Sequence, residues 1–518
     1  MTKIPFRLLC TAALISIAPT ANAADQRDTA ITIYSKAQPG AIDPNMYRPV
    51  NGQQPAYYGA SVPGYAIVRE QREVNLSGKK TEIKFDDVAG LIDPTTVQFK
   101  SLTDPKGTKV GEQNFQFDLV SQQKLMEKYI DKKITVEKYQ YGASPQESVE
   151  GVLLSTQGGL TLKTNDGQIK TINGYQSVNF PELPGGLITK PTLVWDIYTD
   201  KPGSHKAEVS YETQGVTWWA DYNLTYNEGK DANSGTVDFG SWVSIINQSG
   251  ATYDNAKLKL IAGDVQKTQP GVFAGAPATR GMAMESSMVD GTAAPSFAEK
   301  EFFEYHMYTL SQLVNLPQNS TKQMELIPAV MGVPVEKMMV FNAVESQYWN
   351  WGGVYYDQSY GLTGEKRKVD VLLKLKNAKE NGLGVALPAG RMRVNQRDNS
   401  DGSLEFIGEN VIDHTPRNEE ITIKLGSAFD VVGERKQLDY RLDTNARFAD
   451  EEIEIKLRNQ KKQAVKVKTI ESMYRATGWK ILSADAEYSK DNAHQISFIT
   501  SIEPEKEAVI RYKVRYTW

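Results

Sequence analysis

Val216-Thr217-Trp218-Trp219-Ala220-Asp221-Tyr222-Asn223-Leu224-Thr225-Tyr226 carries apolar side chains at Trp218, Ala220, Tyr222, Leu224 and Tyr226, with Asp221, Asn223 and Thr225 between them. Successive side chains leave a strand on opposite sides, so a period of two marks a strand with one buried face. The same alternation recurs over 192–199, 206–211, 236–247 and 256–262. Turn signals separate these runs at roughly 10 to 15 residues, the rhythm of antiparallel β-sandwiches and not of βαβ units. The predicted fold is mainly β: multi-domain antiparallel β-sandwiches with a small SH3-like or Sm-like barrel and one short helix.

Working outward, 65–120 holds shorter strand-like runs separated by Gly and Asp-Pro turns, read as an N-terminal β domain. Within 121–186, Ser121 opens a helix whose Leu125, Met126, Tyr129 and Ile130 form one apolar stripe. Short strands follow, with Gly158-Gly159 and the hairpin signal Asn165-Asp166-Gly167, and these are read as the barrel. The β-sandwich body is predicted over 187–429. It is interrupted at 267–296, where Ala, Gly, Pro, Ser and Met replace periodicity and a flexible loop is expected. The last 430–518 are predicted to be a terminal sandwich. Its final strand alternates Ile510, Tyr512, Val514 and Tyr516 with Arg511, Lys513 and Arg515. Basic outward and apolar inward fits a sandwich better than a membrane barrel, which needs a continuous lipid-facing apolar set.

The chain has 518 residues. Its first 23 put Lys3 and Arg7 before an apolar run and close on Ala21-Asn22-Ala23, the order of an export signal. The following 24–64 is rich in Pro, Gly, Gln and Tyr and is expected to be largely flexible. Cys10, the single cysteine, would leave with the signal, so a mature chain of about 495 residues would rest on apolar cores without disulfides. That suits a bacterial envelope, and the periplasm is the expected location, with outer-membrane association or secretion as alternatives. Beyond the signal, Lys and Arg number 57 against 63 acids, a net charge of about −6. Mild acidity argues against nucleic acid as a partner. No run after the signal is long and apolar enough for a transmembrane helix.

Three stretches resemble the family known as domain of unknown function 4139, whose members include proteins labelled mucoidy inhibitors. The first is Gly215 through Tyr222 with Asn247-Gln248-Ser249-Gly250, and the second is Glu304-Tyr305-His306-Met307-Tyr308. The third is Leu387-Pro388-Ala389-Gly390-Arg391 with Asp413-His414-Thr415-Pro416. The resemblance spans 187–518, after an N-terminal region different from that of the mucoidy inhibitors. It implies no reaction.

Chemistry-bearing residues are sparse. The histidines are His205, His306, His414 and His494, and H-E-x-x-H, G-x-S-x-G and phosphate-loop patterns are missing. Two readings of the chemistry stay open. In one, Glu304 and His306 share a strand face with Tyr308 and meet Asp413 and His414, so that acids and imidazoles pass a proton in an envelope hydrolase or hold a divalent metal. In the other, His306 bonds to a strand neighbour and His414 fixes its own turn through Asp413 and Pro416. A second candidate is the loop of Trp349, Trp351, Tyr355 and Tyr356, whose flat rings suit an envelope glycan or another envelope protein. The expected activity is non-enzymatic binding or assembly with no cofactor.

Overall fold

The computed structural model describes residues 28–38, 40, 42–43, 46–47, 62–139, 147–263, 265–267, 297–344, 353–361, 367–398 and 400–518. The export signal, nearly all of the 267–296 segment, Trp349 and Trp351 lie outside the described residues. Among those described, the chain forms thirty β-strands and one α-helix, Gln122–Lys128. The helix is capped as its sequence demands: the Ser121 hydroxyl accepts a hydrogen bond from the Lys124 amide. None of the described helices is long and apolar enough to cross a membrane.

Two large sheets enclose the main core. One is eight-stranded and runs Phe297–Phe302, Tyr305–Leu310, Tyr253–Ala262, Asp28–Ser35, Gly64–Leu76, Gly203–Thr213 and Ile92–Ser101, with Val314–Leu316 added to Tyr253–Ala262. Within it Asp28–Ser35 pairs parallel to Tyr253–Ala262, so the carboxyl ends of both strands leave the sheet side by side. The other sheet has fourteen strands, among them Leu404–Ile412, Gly390–Arg397, Val216–Glu228 and Ser234–Asn247 in adjacent positions. Alternation along Val216–Glu228 does what its sequence predicts: Trp218, Tyr222 and Leu224 enter the core beside Ile31, Val68, Phe239 and Leu258. Both members of the tryptophan pair are covered, because Trp219, on the opposite face, lies under Ile42 and Tyr47 of the N-terminal segment.

A three-stranded sheet places Thr192–Thr199 between Lys80–Phe85 and Thr108–Gln116. Its Trp195 is fully buried, edge-on to Phe85 and Phe99, and donates to Gln113 Oε1 at 2.9 Å. In the fourteen-stranded sheet, Glu507–Thr517 lies between Phe448–Asn459 and Gly478–Ala484. Ile510, Tyr512, Val514 and Tyr516 are buried in a second core, while Arg511 and Arg515 pair outward with Glu454 and Asp450.

Two expectations need correction. The predicted barrel is an open five-stranded sheet, ordered Ser177–Asn179, Lys133–Glu137, Ser148–Ser155, Leu160–Thr164 and Ile169–Ile172. Its edge strands have only 3 and 4 residues and do not pair with each other. Closure requires tilted strands staggered all the way round. Here Met126 and Tyr129 from the helix segment pack with the sheet's buried apolar residues instead. The second correction concerns 301–310, which is not one strand but a hairpin of Phe297–Phe302 and Tyr305–Leu310. Glu304 therefore sits in the turn with Phe303 and is off the strand face that His306 shares with Tyr308.

Candidate functional site

The carboxyl ends of the two parallel strands open onto a groove of about 710 Å³. Asp28–Ser35 contributes Tyr34 and Ser35, Gly64–Leu76 contributes Tyr65, and Val216–Glu228 contributes Trp218 and Trp219. The far wall is Pro388 and Ala389, with Asp413 and His414. His414 also lines an adjoining cavity of about 200 Å³ with Glu304, His306, Tyr308, Thr415 and Pro416. All four proposed chemical residues, Glu304, His306, Asp413 and His414, thus border one composite hollow. The three stretches quoted for the family resemblance converge on it too, from opposite sheets.

Rigid hydrogen bonds hold the walls. Tyr222 donates to the Pro388 carbonyl at 2.7 Å and Tyr308 to the Ala386 carbonyl at 2.9 Å, fixing the 386–389 loop from below. Leu387 and Thr415 exchange reciprocal backbone bonds of 2.9 Å. The Ala389 amide donates to His414 Nδ1 at 3.0 Å, which leaves the proton of a neutral imidazole on Nε2. His414 therefore ties its turn to the neighbouring loop. His306 Nδ1 lies 2.7 Å from Glu299 Oε1 on the paired strand, and Arg417 donates to the other oxygen of Glu299 at 2.9 Å. Burial acts against the Glu299 carboxylate, yet the His306 bond and the Arg417 charge hold its pKa below the ordinary value. Glu299 and Arg417 were missed in the sequence because neither belongs to a recognisable spacing.

Aromatic rings form the opposite wall. Tyr34 stacks on Tyr65 with centroids 4.8 Å apart and planes 4° from parallel. Burial and the neighbouring Tyr34, Glu212 and Tyr305 push the Tyr65 phenol up to about 12. Tyr65 is therefore a neutral hydroxyl at any physiological pH. The Lys267 ammonium sits over its ring at 4.6 Å and pairs with Glu212. Ser35, the hydroxyl at the groove, donates to the Trp218 carbonyl and accepts from the Ala37 amide. Among the described residues no group of three or more His, Cys, Asp or Glu side chains is placed to hold a metal ion.

The remaining candidates lie elsewhere. His205 is buried between Ser101 and the Lys201 carbonyl, a structural histidine. Tyr355 stacks on Tyr360 at 4.0 Å, and Tyr356 meets Trp518 edge-on at 5.0 Å while staying half exposed. Arg475 clamps the 353–361 loop. Its guanidinium donates to the carbonyls of Asp357 at 2.7 Å, Gln358 at 2.9 Å and Tyr360 at 3.1 Å, and pairs with buried Glu451 at 3.2 Å. In comparisons with known proteins, no family model matches the chain, and no curated protein or solved structure is significantly similar to it.

Proposed function

We propose that the chain is an exported cell-envelope protein that works by binding, and that the groove walled by Tyr34, Tyr65, Trp218 and His414 receives the ligand. The observation that carries this reading is the groove itself: about 710 Å³, with aromatic rings on one side and imidazole and carboxylate on the other. Ligand sites of this size combine apolar walls with a few fixed polar groups that set orientation. The aromatic wall supplies apolar contact, and the Asp413 carboxylate across the groove supplies an acceptor. An envelope glycan, or a segment of another envelope protein, has that chemistry. Export rests on the Lys3 to Ala23 pattern, and the periplasm is the location proposed, with outer-membrane association or secretion as the alternatives.

Binding is favoured over catalysis because Ser35 and Glu299, on which acid–base chemistry here would draw, are already committed. The Ser35 hydroxyl is held by two backbone partners, and both Glu299 oxygens are occupied. A second reading, an envelope hydrolase, is favoured by one observation: His306 and His414 border the same small cavity, with Glu299 orienting His306. Titrating the full chain with soluble muropeptides while following intrinsic tryptophan fluorescence tests the first reading. Saturable binding, lost in Tyr65→Ala and weakened in His414→Ala, is expected. Turnover of muropeptides that disappears in His306→Ala at an unchanged thermal midpoint would favour the hydrolase instead.

A further inference from the structure

A separate hollow lies on the outer face of the fourteen-stranded sheet, and no histidine lines it. Strand register brings its residues together: Asp221 opposes Trp242, and Asp221 and Asn223 lie beside Arg391 and Arg393 on the parallel neighbour. Gln323 stands opposite Ser244 on the other side. Together they enclose about 230 Å³. Trp242 is 42% exposed, an unusual state for the largest apolar side chain. Gly240, two residues away on the same face and opposite Asn223, contributes no side chain. A Cβ there would meet nothing closer than the Asn223 carbonyl at 3.5 Å, so this face of the sheet is open beside Trp242.

The polar lining is arranged for hydroxyl groups, not for ions. Arg391 forks onto Asp221 Oδ1 at 3.0 and 3.2 Å, while Trp219 donates to Asp221 Oδ2 at 2.7 Å. Arg393 faces Glu409 at 3.4 Å, so each guanidinium is balanced by a carboxylate. Among the described residues, the Asn223 amide and the Trp242 indole N–H have no protein partner. Carboxylate, amide and guanidinium each present two atoms in one plane, a spacing that matches neighbouring hydroxyls on a sugar ring. An exposed indole beside them offers a flat surface for the ring's C–H face.

We infer that this hollow is a saccharide-binding subsite for a neutral, β-linked hexopyranose chain whose equatorial hydroxyls leave its C–H faces flat. The inference goes beyond the groove reading and does not depend on it. Saturation-transfer NMR and calorimetry on the full chain with cellohexaose and chitohexaose test it. Trp242→Ala is expected to weaken binding by about tenfold or more, as truncating a central aromatic anchor does. Asn223→Ala removes the unpartnered amide from the hollow and is expected to weaken binding at an unchanged thermal midpoint. Lack of binding to both sugars, or equal binding by wild type and Trp242→Ala, overturns the inference. Loss in Tyr65→Ala with retention in Trp242→Ala also overturns it, and would assign the sugar to the groove.

Discussion

Replacing Arg475 with alanine removes a guanidinium that is 1% exposed and paired to a Glu451 that is fully buried. Breaking a buried pair from one side costs about 3–5 kcal/mol, because the remaining charge stays desolvated. Glu451 keeps two donors, the Tyr474 hydroxyl at 2.5 Å and the Gln437 amide at 2.6 Å, which places the charge penalty near the lower end. The carbonyls of Asp357, Gln358 and Tyr360 lose their donor as well, but that loop can turn them toward water. A destabilisation of about 3 kcal/mol follows, centred on the 353–361 loop and the Phe448–Asn459 strand. Native-state hydrogen exchange reads this locally and needs no two-state unfolding of so long a chain. The double variant Arg475→Met with Glu451→Met should recover much of the loss, since an apolar pair leaves no orphaned charge. Exchange in Arg475→Ala within about 0.5 kcal/mol of wild type would refute the clamp, as would a double variant no better than either single one.

Other consequences follow from the same geometry. Trp195→Ala empties a fully buried site between Phe85 and Phe99 and should cost about 3–5 kcal/mol, measured as a lowered denaturation midpoint with retained β-sheet circular dichroism. Tyr65 titrates at about 12 when folded, above the ordinary 10.0, so its contribution to stability is complete below pH 10 and disappears as pH rises through 12. Burial pushes Tyr253, Tyr308 and Tyr474 the same way, so tyrosinate absorbance should rise together with unfolding; full ionisation near pH 10 of a still-folded protein would contradict this. Glu299 works in the opposite sense. Its lowered pKa gives stability that is present above 4.5 and fades as pH falls through the folded value, and Glu299→Gln should flatten the acid dependence of exchange in the 297–310 hairpin.

Strand identity was legible wherever one face is buried, as in Val216–Glu228 and Glu507–Thr517, because burial itself imposes period two. Pairing was not. Asp28–Ser35 finds a parallel partner in Tyr253–Ala262, and nothing local encodes a contact across that separation. The 301–310 hairpin escaped because its turn lacks the usual Gly, Asn or Asp: Phe303 takes a φ of 58°, a conformation that bulky residues seldom adopt. Phe303 is also 84% exposed, so no buried contact advertises the bend. Trp218 and Trp219 are both buried, yet both also line the groove. Whether His306 and His414 share a cavity depends on two sheets meeting, a matter of tertiary assembly that residue spacing does not carry.

Hydrogen-exchange footprinting of the full chain with and without soluble muropeptides tests the central claim most directly, that the groove between the two large sheets takes up an envelope ligand. The account predicts protection at Tyr34, Tyr65, Trp218 and Trp219 and along 387–389 and 413–415, absent in Tyr65→Ala. Saturable binding that leaves those segments unprotected, or that survives unchanged in Tyr65→Ala, would contradict it.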